Sequence, residues 1–239
     1  MHTITKEYKV YSFDELSEEA KDRAYSDYLK YYDYPWSGEV ETCIEGIEKL
    51  FHIKIRNWEY GGYRPYSYGI KWDDWFWNYD CGYNNGRKEL SGNRARAFLW
   101  NNFGHVLYEM KRYGRYLKNE MTGKWRYQRV SRVLAESRVY DGTCPLTGVW
   151  LDNAALDPMA YFCFGVKWDE DLKKRVPDRR DAFAVKWDEG VTVESIITDC
   201  VDSLFHAAQD DYEYYQSREH FEEECRENGW EFLESGKMF

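Results

Sequence analysis

The chain has 239 residues, with 43 Asp/Glu against 33 Lys/Arg for a formal net charge of −10, and 19% of it is aromatic. That length suits a single domain with a real core. The longest stretch free of charged residues and histidine runs only from Gly142 to Leu151, well short of the roughly 18 residues a membrane span needs.

The charge is sorted along the chain. Residues 87–138 carry 13 Lys/Arg against 4 Asp/Glu, whereas residues 188–239 carry 15 Asp/Glu against 3 Lys/Arg. A cationic middle and an anionic end point to a charged partner, or to copies that pair the two regions as a homo-oligomer. The 22 Tyr and 11 Trp suit half-buried positions and interfaces, although an aromatic-rich core in place of a Leu/Ile/Val one is the commoner explanation. Six widely spaced cysteines without a CxxC pair, and an amino terminus without an apolar run, predict free thiols in a reducing cytosol.

In chain order, Tyr8-Lys9-Val10-Tyr11 alternates as a strand, and Ser12 with Glu15 has capping-box spacing. Ser17 caps a helix predicted to reach about Tyr32. Ser37 caps a second helix, whose Val40, Ile44, Ile47 and Phe51 recur at helical spacing. From Ile53 to Tyr83 the pattern becomes alternating, aromatic and Gly-punctuated, which predicts a β-hairpin. A further helix is expected from about Asn93, because Leu99, Phe103, Val106, Met110, Tyr113 and Leu117 repeat in steps of 4 and 3. On that helix Lys111, Arg115 and Lys118 fall on the opposite, solvent side.

The strand-like stretch from Lys124 to Arg132 adds Arg126, and Cys144-Pro145-Leu146-Thr147-Gly148 reads as a turn. Asp152 is expected to cap a short helix ending at Ala160. Thr192 caps an acidic amphipathic helix, burying Val193, Ile196, Ile197, Cys200, Leu204 and Ala208 and displaying Asp199, Asp202, Asp210 and Glu213. A last helix starts at Ser217, carries Glu219 and Glu223, and ends at Gly229. The whole predicts an α+β domain over residues 1–239, in which several amphipathic helices pack an aromatic-rich antiparallel sheet.

Motifs for chemistry are few. Lys-Trp-Asp occurs at residues 71, 167 and 186, and its irregular spacing favours a recurrent strand end over a ligand site. Asp202, His206 and Asp210 share a helical face, but two turns is a long reach for one ion, and a solvated histidine among acids is the commoner case. No base or oxyanion donor is marked for Cys144, and no GxGxxG, Walker A, HExxH or GxSxG motif is present. The residues therefore assign no catalytic group, metal or cofactor.

Several phrases occur together in order: Tyr11-Ser12-Phe13-Asp14-Glu15-Leu16, Arg56-Asn57-Trp58-Glu59-Tyr60, Leu99-Trp100-Asn101-Asn102, Cys144-Pro145-Leu146-Thr147-Gly148, Asp211-Tyr212-Glu213-Tyr214 and Trp230-Glu231-Phe232. With them the chain resembles a family of uncharacterised bacteriophage and prophage accessory proteins, sometimes labelled antitoxin-like. Residues 165–189, with two Lys-Trp-Asp copies, look like an insertion into that pattern. The resemblance implies a phage protein made inside a bacterium and brings no catalytic residues with it.

Three functions remain. The first is a non-enzymatic inhibitor that binds and neutralises a host defence, nuclease or toxin protein through its acidic helices, with Asp199, Asp202, Asp210, Glu213, Glu219 and Glu223 as the contact. The second is a nucleic-acid-binding module using Lys111, Arg115, Lys118 and Arg126. The third is a nuclease or hydrolase whose site assembles only in the fold.

Overall fold

A computed structural model of the chain describes residues 6–62, 65–78, 86–118, 122–139, 143–164, 166–169, 174–177 and 190–239. In chain order its elements are β1 (Tyr11–Ser12), α1 (Glu18–Tyr31), α2 (Ser37–Phe51), β2 (Ile53–Glu59), β3 (Ser67–Trp72), α3 (Asp74–Trp77), α4 (Gly92–Leu107), β4 (Tyr108–Lys118), β5 (Trp125–Ser137), α5 (Leu151–Phe164), β6 (Val166–Asp169), β7 (Lys174–Pro177), α6 (Val193–Tyr215), α7 (Arg218–Glu227) and β8 (Glu231–Phe232). This is an α+β fold. Its described strands pair antiparallel in four two-stranded ladders, β1 with β8, β2 with β3, β4 with β5 and β6 with β7. The contacts define two compact units: Met1–Ser37, Gly61–Pro65 and Ala208–Phe239 form the first, and Gly38–Tyr60 and Tyr66–Ala207 the second.

The first unit is organised around Phe221. Its core comprises Phe13, Leu16, Ala20, Ala24, Phe221, Cys225 and Phe232, flanked by Tyr11, Tyr25, Tyr28 and Trp230. The Phe221 ring meets Phe13 edge-on at 5.5 Å and lies 4.8 Å from Tyr28, geometries that add to burial. Two of the predicted caps form, at Ser12 and Ser17. Ser12 donates from its amide and hydroxyl to Glu15 at 2.8 and 2.9 Å, and the Ser17 hydroxyl accepts from the Ala20 amide at 3.3 Å.

Tyr11–Ser12 is all that remains of the predicted first strand, because β8 offers it only two partners. At the carboxyl end, the Leu233 amide donates to the Lys237 carbonyl and the Gly236 amide to the Leu233 carbonyl, both at 2.8 Å. Gly236 has φ +87° and lies against the Ala20 carbonyl, where any Cβ would overlap it.

In the second unit α2 buries the predicted Val40, Ile44, Ile47 and Phe51. It ends at His52, which takes a left-handed φ of 52°, a common helix-terminating conformation. The buried Trp77 donates its indole N–H to the Phe51 and His52 carbonyls at 2.9 and 3.1 Å, so carbonyls left open by the helix end are satisfied. The β2–β3 hairpin is as predicted, burying Ile53 and Ile55 and exposing Lys54 between them and Arg56 after them. Its Lys71-Trp72-Asp73 ends the strand as expected: Lys71 is exposed, Trp72 is half-buried, and Asp73 caps α3 by accepting from the Trp75 amide. The second Lys-Trp-Asp copy lies in β6; the third lies outside the described residues.

The predicted helix through Leu117 is corrected. Leu99, Phe103 and Val106 are buried on α4 as expected, but the helix stops at Leu107, and Met110, Tyr113 and Leu117 belong to strand β4. Two physical reasons converge. Gly114 costs a helix about 1 kcal/mol relative to Ala, whereas Tyr108, Tyr113 and Tyr116 favour a pleated strand. The aromatic and β-branched stretch from Trp125 onwards supplies a matching partner, with Lys118 opposite Trp125 and Arg112 opposite Val133. Lys111, Arg115 and Lys118 are therefore strand residues. A three-residue step that unites Arg115 and Lys118 on a helix gives them opposite parity on a strand.

Asp152 also differs from expectation. It lies inside the first turn of α5, which runs on to Phe164, and it is fully buried. Its carboxylate accepts from the Leu146, Thr147 and Gly148 amides at 2.9, 2.6 and 3.1 Å and from the Thr147 hydroxyl at 2.6 Å. It therefore organises the Cys144–Gly148 turn instead of capping a helix. Gly46 of α2 permits this turn to approach: a Cβ there would overlap the Thr147 methyl and lie 3.3 Å from Leu146.

Candidate protein-binding surface

The acidic helices begin as their sequences dictate. The Thr192 hydroxyl accepts from the Ser195 amide at 3.1 Å, and Ser195 accepts from the Thr192 amide at 3.0 Å. This reciprocal cap fixes the start of α6, and Val193, Ile196, Ile197, Cys200, Leu204 and Ala208 are all buried. Asp199, Asp202, Asp210 and Glu213 are exposed, as the 3.6-residue period requires. Ser217 caps α7 through the His220 amide at 3.1 Å, and Gly229 closes it at φ +60°.

The six predicted contact residues are divided between the two units. Asp199 and Asp202 belong to the second unit, where the Tyr68 hydroxyl donates to Asp202 at 3.2 Å. Burial, and then the neighbouring Asp202, raise the Asp199 carboxyl above its ordinary value. Burial also raises the Tyr68 phenol, helped by Asp202.

The other four belong to the first unit. Glu213 accepts from the Gln209 amide nitrogen at 2.6 Å, and Glu219 and Glu223 are exposed on α7. They share their surface with Tyr214, which is 52% exposed. The Tyr214 phenol is raised chiefly by the charge of Glu223, and Glu219 and Glu227 act in the same direction. Tyr214 also packs near His220, with ring centroids 5.1 Å apart. An exposed aromatic face with carboxylates around it is the arrangement that receives Arg or Lys side chains. Tyr214 and Glu227 are not among the contact residues predicted from sequence, because the turn at Gln216–Ser217 breaks the helical spacing between Tyr214 and α7.

Charge is also sorted by unit. The first unit carries 18 Asp/Glu against 9 Lys/Arg, a net of −9, which leaves the second unit at −1. Several of its cations are spent internally. Arg218 pairs with Asp22 and with Glu222 at 3.0 Å, Arg226 pairs with Asp14 at 3.1 Å and Glu222 at 3.2 Å, Lys21 pairs with Glu18, and Lys30 pairs with Asp27. Glu222 is thereby held below its ordinary range, mainly by Arg218. Glu219, Glu223 and Glu227 make no ion pair among the described residues, so their charge is presented outward.

Other candidate chemistry is weaker. Among the described residues no group of three His, Cys, Asp or Glu could hold a metal ion, and no helix is long and apolar enough to cross a membrane. None of the five described cysteines is in a disulfide. The Cys144 thiol is pushed up by burial and by Asp152, which disfavours the nucleophilic thiolate. An open cleft of about 820 Å³ in the second unit includes Glu48, Lys49, His52, Arg56, Lys71 and Asp73. Its acids are partly committed, Glu48 to Lys54 and the Ile55 amide and Asp73 to its helix cap. Lys111, Arg115, Lys118 and Arg126 lie on the β4–β5 ribbon, away from α6 and α7 in the chain. No family model, curated protein or solved structure matches this chain.

Proposed function

We propose that the chain is a non-enzymatic binding protein that occupies a basic surface of another protein through its acidic unit, centred on Tyr214, Glu219, Glu223 and Glu227. The observation that carries this reading is the −9 charge of that unit, combined with outward carboxylates around an exposed tyrosine. Such fields steer association and select cationic partners. The phage-family resemblance supplies the setting: a small accessory protein that neutralises a host defence, nuclease or toxin protein in the bacterial cytoplasm.

The test is affinity capture from nuclease-treated bacterial lysate, comparing the parent with the E219K/E223K/E227K variant and with Tyr214→Ala. A stoichiometric protein retained by the parent, eluted by salt and released by the charge-reversed variant is expected. Equal retention by the folded variant, or no stoichiometric protein captured from the nuclease-treated lysate, refutes the reading.

A further inference from the structure

The β4–β5 ribbon belongs to the second unit, whereas the acidic surface around Tyr214 belongs to the first. Its strands have 11 and 13 residues and pair only with each other among the described residues. At about 3.4 Å per residue the shorter strand extends roughly 37 Å. Isolated two-stranded hairpins are marginal in water, and both outer edges here lack a ladder partner among the described residues, so a ribbon of this length calls for an external surface to lie against.

Its charge identifies that surface. Residues 110–135 contain Lys111, Arg112, Arg115, Lys118, Lys124, Arg126, Arg129 and Arg132 but only one acid, Glu120, for a net of +7. The register keeps these cations from facing one another. Lys111 lies opposite Leu134, Arg112 opposite Val133, Arg115 opposite Gln128, Lys118 opposite Trp125, Arg126 opposite Leu117 and Arg129 opposite Gly114. Direct cation–cation pairs, which destabilise a ladder, are absent from this register while positive charge is spread along the ribbon. The acidic cross-strand pair, Glu109 with Glu136, stands at the base beside α4.

We infer that the ribbon is an arm that binds the phosphodiester backbone of nucleic acid without sequence preference. Cations spread along a ribbon longer than one turn of duplex meet successive phosphates, and a two-stranded ribbon is among the elements that a major groove admits. The interleaved Tyr113, Tyr116, Trp125 and Tyr127 are residue types on which unpaired bases stack.

The experiment is fluorescence anisotropy of the full chain with a labelled 20-base-pair duplex and a 20-nucleotide single strand, from 50 to 200 mM salt. With about five phosphates neutralised, duplex affinity falls roughly 500-fold over that range. Replacing Lys111, Arg115, Lys118 and Arg126 by Gln reduces the log–log salt slope by about one for every phosphate left unneutralised, and E219K/E223K/E227K does not weaken binding. Tighter binding of one probe tells which nucleic acid form the arm prefers. Failure to bind either probe at 50 mM salt, or an unchanged slope in the Gln variant, overturns the inference. So does salt-labile self-association without oligonucleotide binding, which gives the ribbon to a second copy. Neither result bears on capture of a protein by the Tyr214 surface, which is read separately.

Discussion

Replacing Gly46 by Ala should destabilise the protein, against the usual rule for a helix interior. Gly to Ala ordinarily gains about 1 kcal/mol of helix propensity. Here the new methyl overlaps the Thr147 Cγ2 and crowds Leu146 at 3.3 Å. Thr147 cannot simply rotate away, because its hydroxyl donates to Asp152 and its amide does likewise, both at 2.6 Å. Each such charge-assisted bond is worth about 1.5–3 kcal/mol, so the turn resists moving, and overpacking costs about 1–3 kcal/mol. The net expectation is a loss of up to about 2 kcal/mol, or up to about 8 °C in Tm for a chain of this size. Thr147→Ser removes the clashing methyl but keeps the hydroxyl. Alone it costs up to about 0.8 kcal/mol; combined with Gly46→Ala it restores the helical gain, giving a coupling of at least about 1 kcal/mol in a double-mutant cycle. Urea unfolding of the four proteins measures it. A Gly46→Ala protein at least as stable as the parent, or strictly additive effects, would refute the packing described for this turn.

Asp152→Ala removes the acceptor for three amides and a hydroxyl in a buried position, so a loss of about 3–5 kcal/mol in urea unfolding is expected, with Asp152→Asn intermediate because one acceptor oxygen remains. Glu223→Gln removes the largest cause of the raised Tyr214 phenol, so tyrosinate absorbance, read against a Tyr214→Phe control, should begin at lower pH; an unchanged onset would separate Tyr214 from α7. Glu222 is depressed in the fold below its ordinary value of 4.5 by Arg218 and Arg226. Its contribution is present above that value and is lost as pH falls through the lower folded one, so Glu222→Gln should flatten the decline of stability below pH 4.5. Acid titration followed by circular dichroism checks this, and superimposable parent and variant curves would count against the ion-pair network.

Where local chemistry decides structure, the sequence was readable. Ser17, Thr192, Ser217 and Gly229 mark helix ends by side-chain capping or left-handed geometry, and the apolar faces of α2 and α6 follow their period. The ribbon was not readable in the same way. Leu99, Phe103 and Val106 are truly helical, and Met110, Tyr113 and Leu117 continue their rhythm, yet a strand partner beginning at Trp125 decides the outcome, and its influence is non-local. Tyr214 was missing from the predicted contact for a related reason: its neighbours Glu223 and Glu227 come to it around a turn. The sorting of charge by unit likewise requires the fold, because residues 1–37 and 208–239, far apart in the chain, lie in one unit.

That sorting changes what the isoelectric point of about 5.1 means. It is an average over one strongly acidic unit and one near neutrality, and it describes neither. As pH falls, carboxylates protonate in both, and the near-neutral unit becomes cationic while the other is still anionic. At the pH of zero net charge the molecule is a bipole with opposite charges on its two units. Copies then attract one another through oppositely charged units, so solubility near the isoelectric point is governed by how charge is divided and not by its sum.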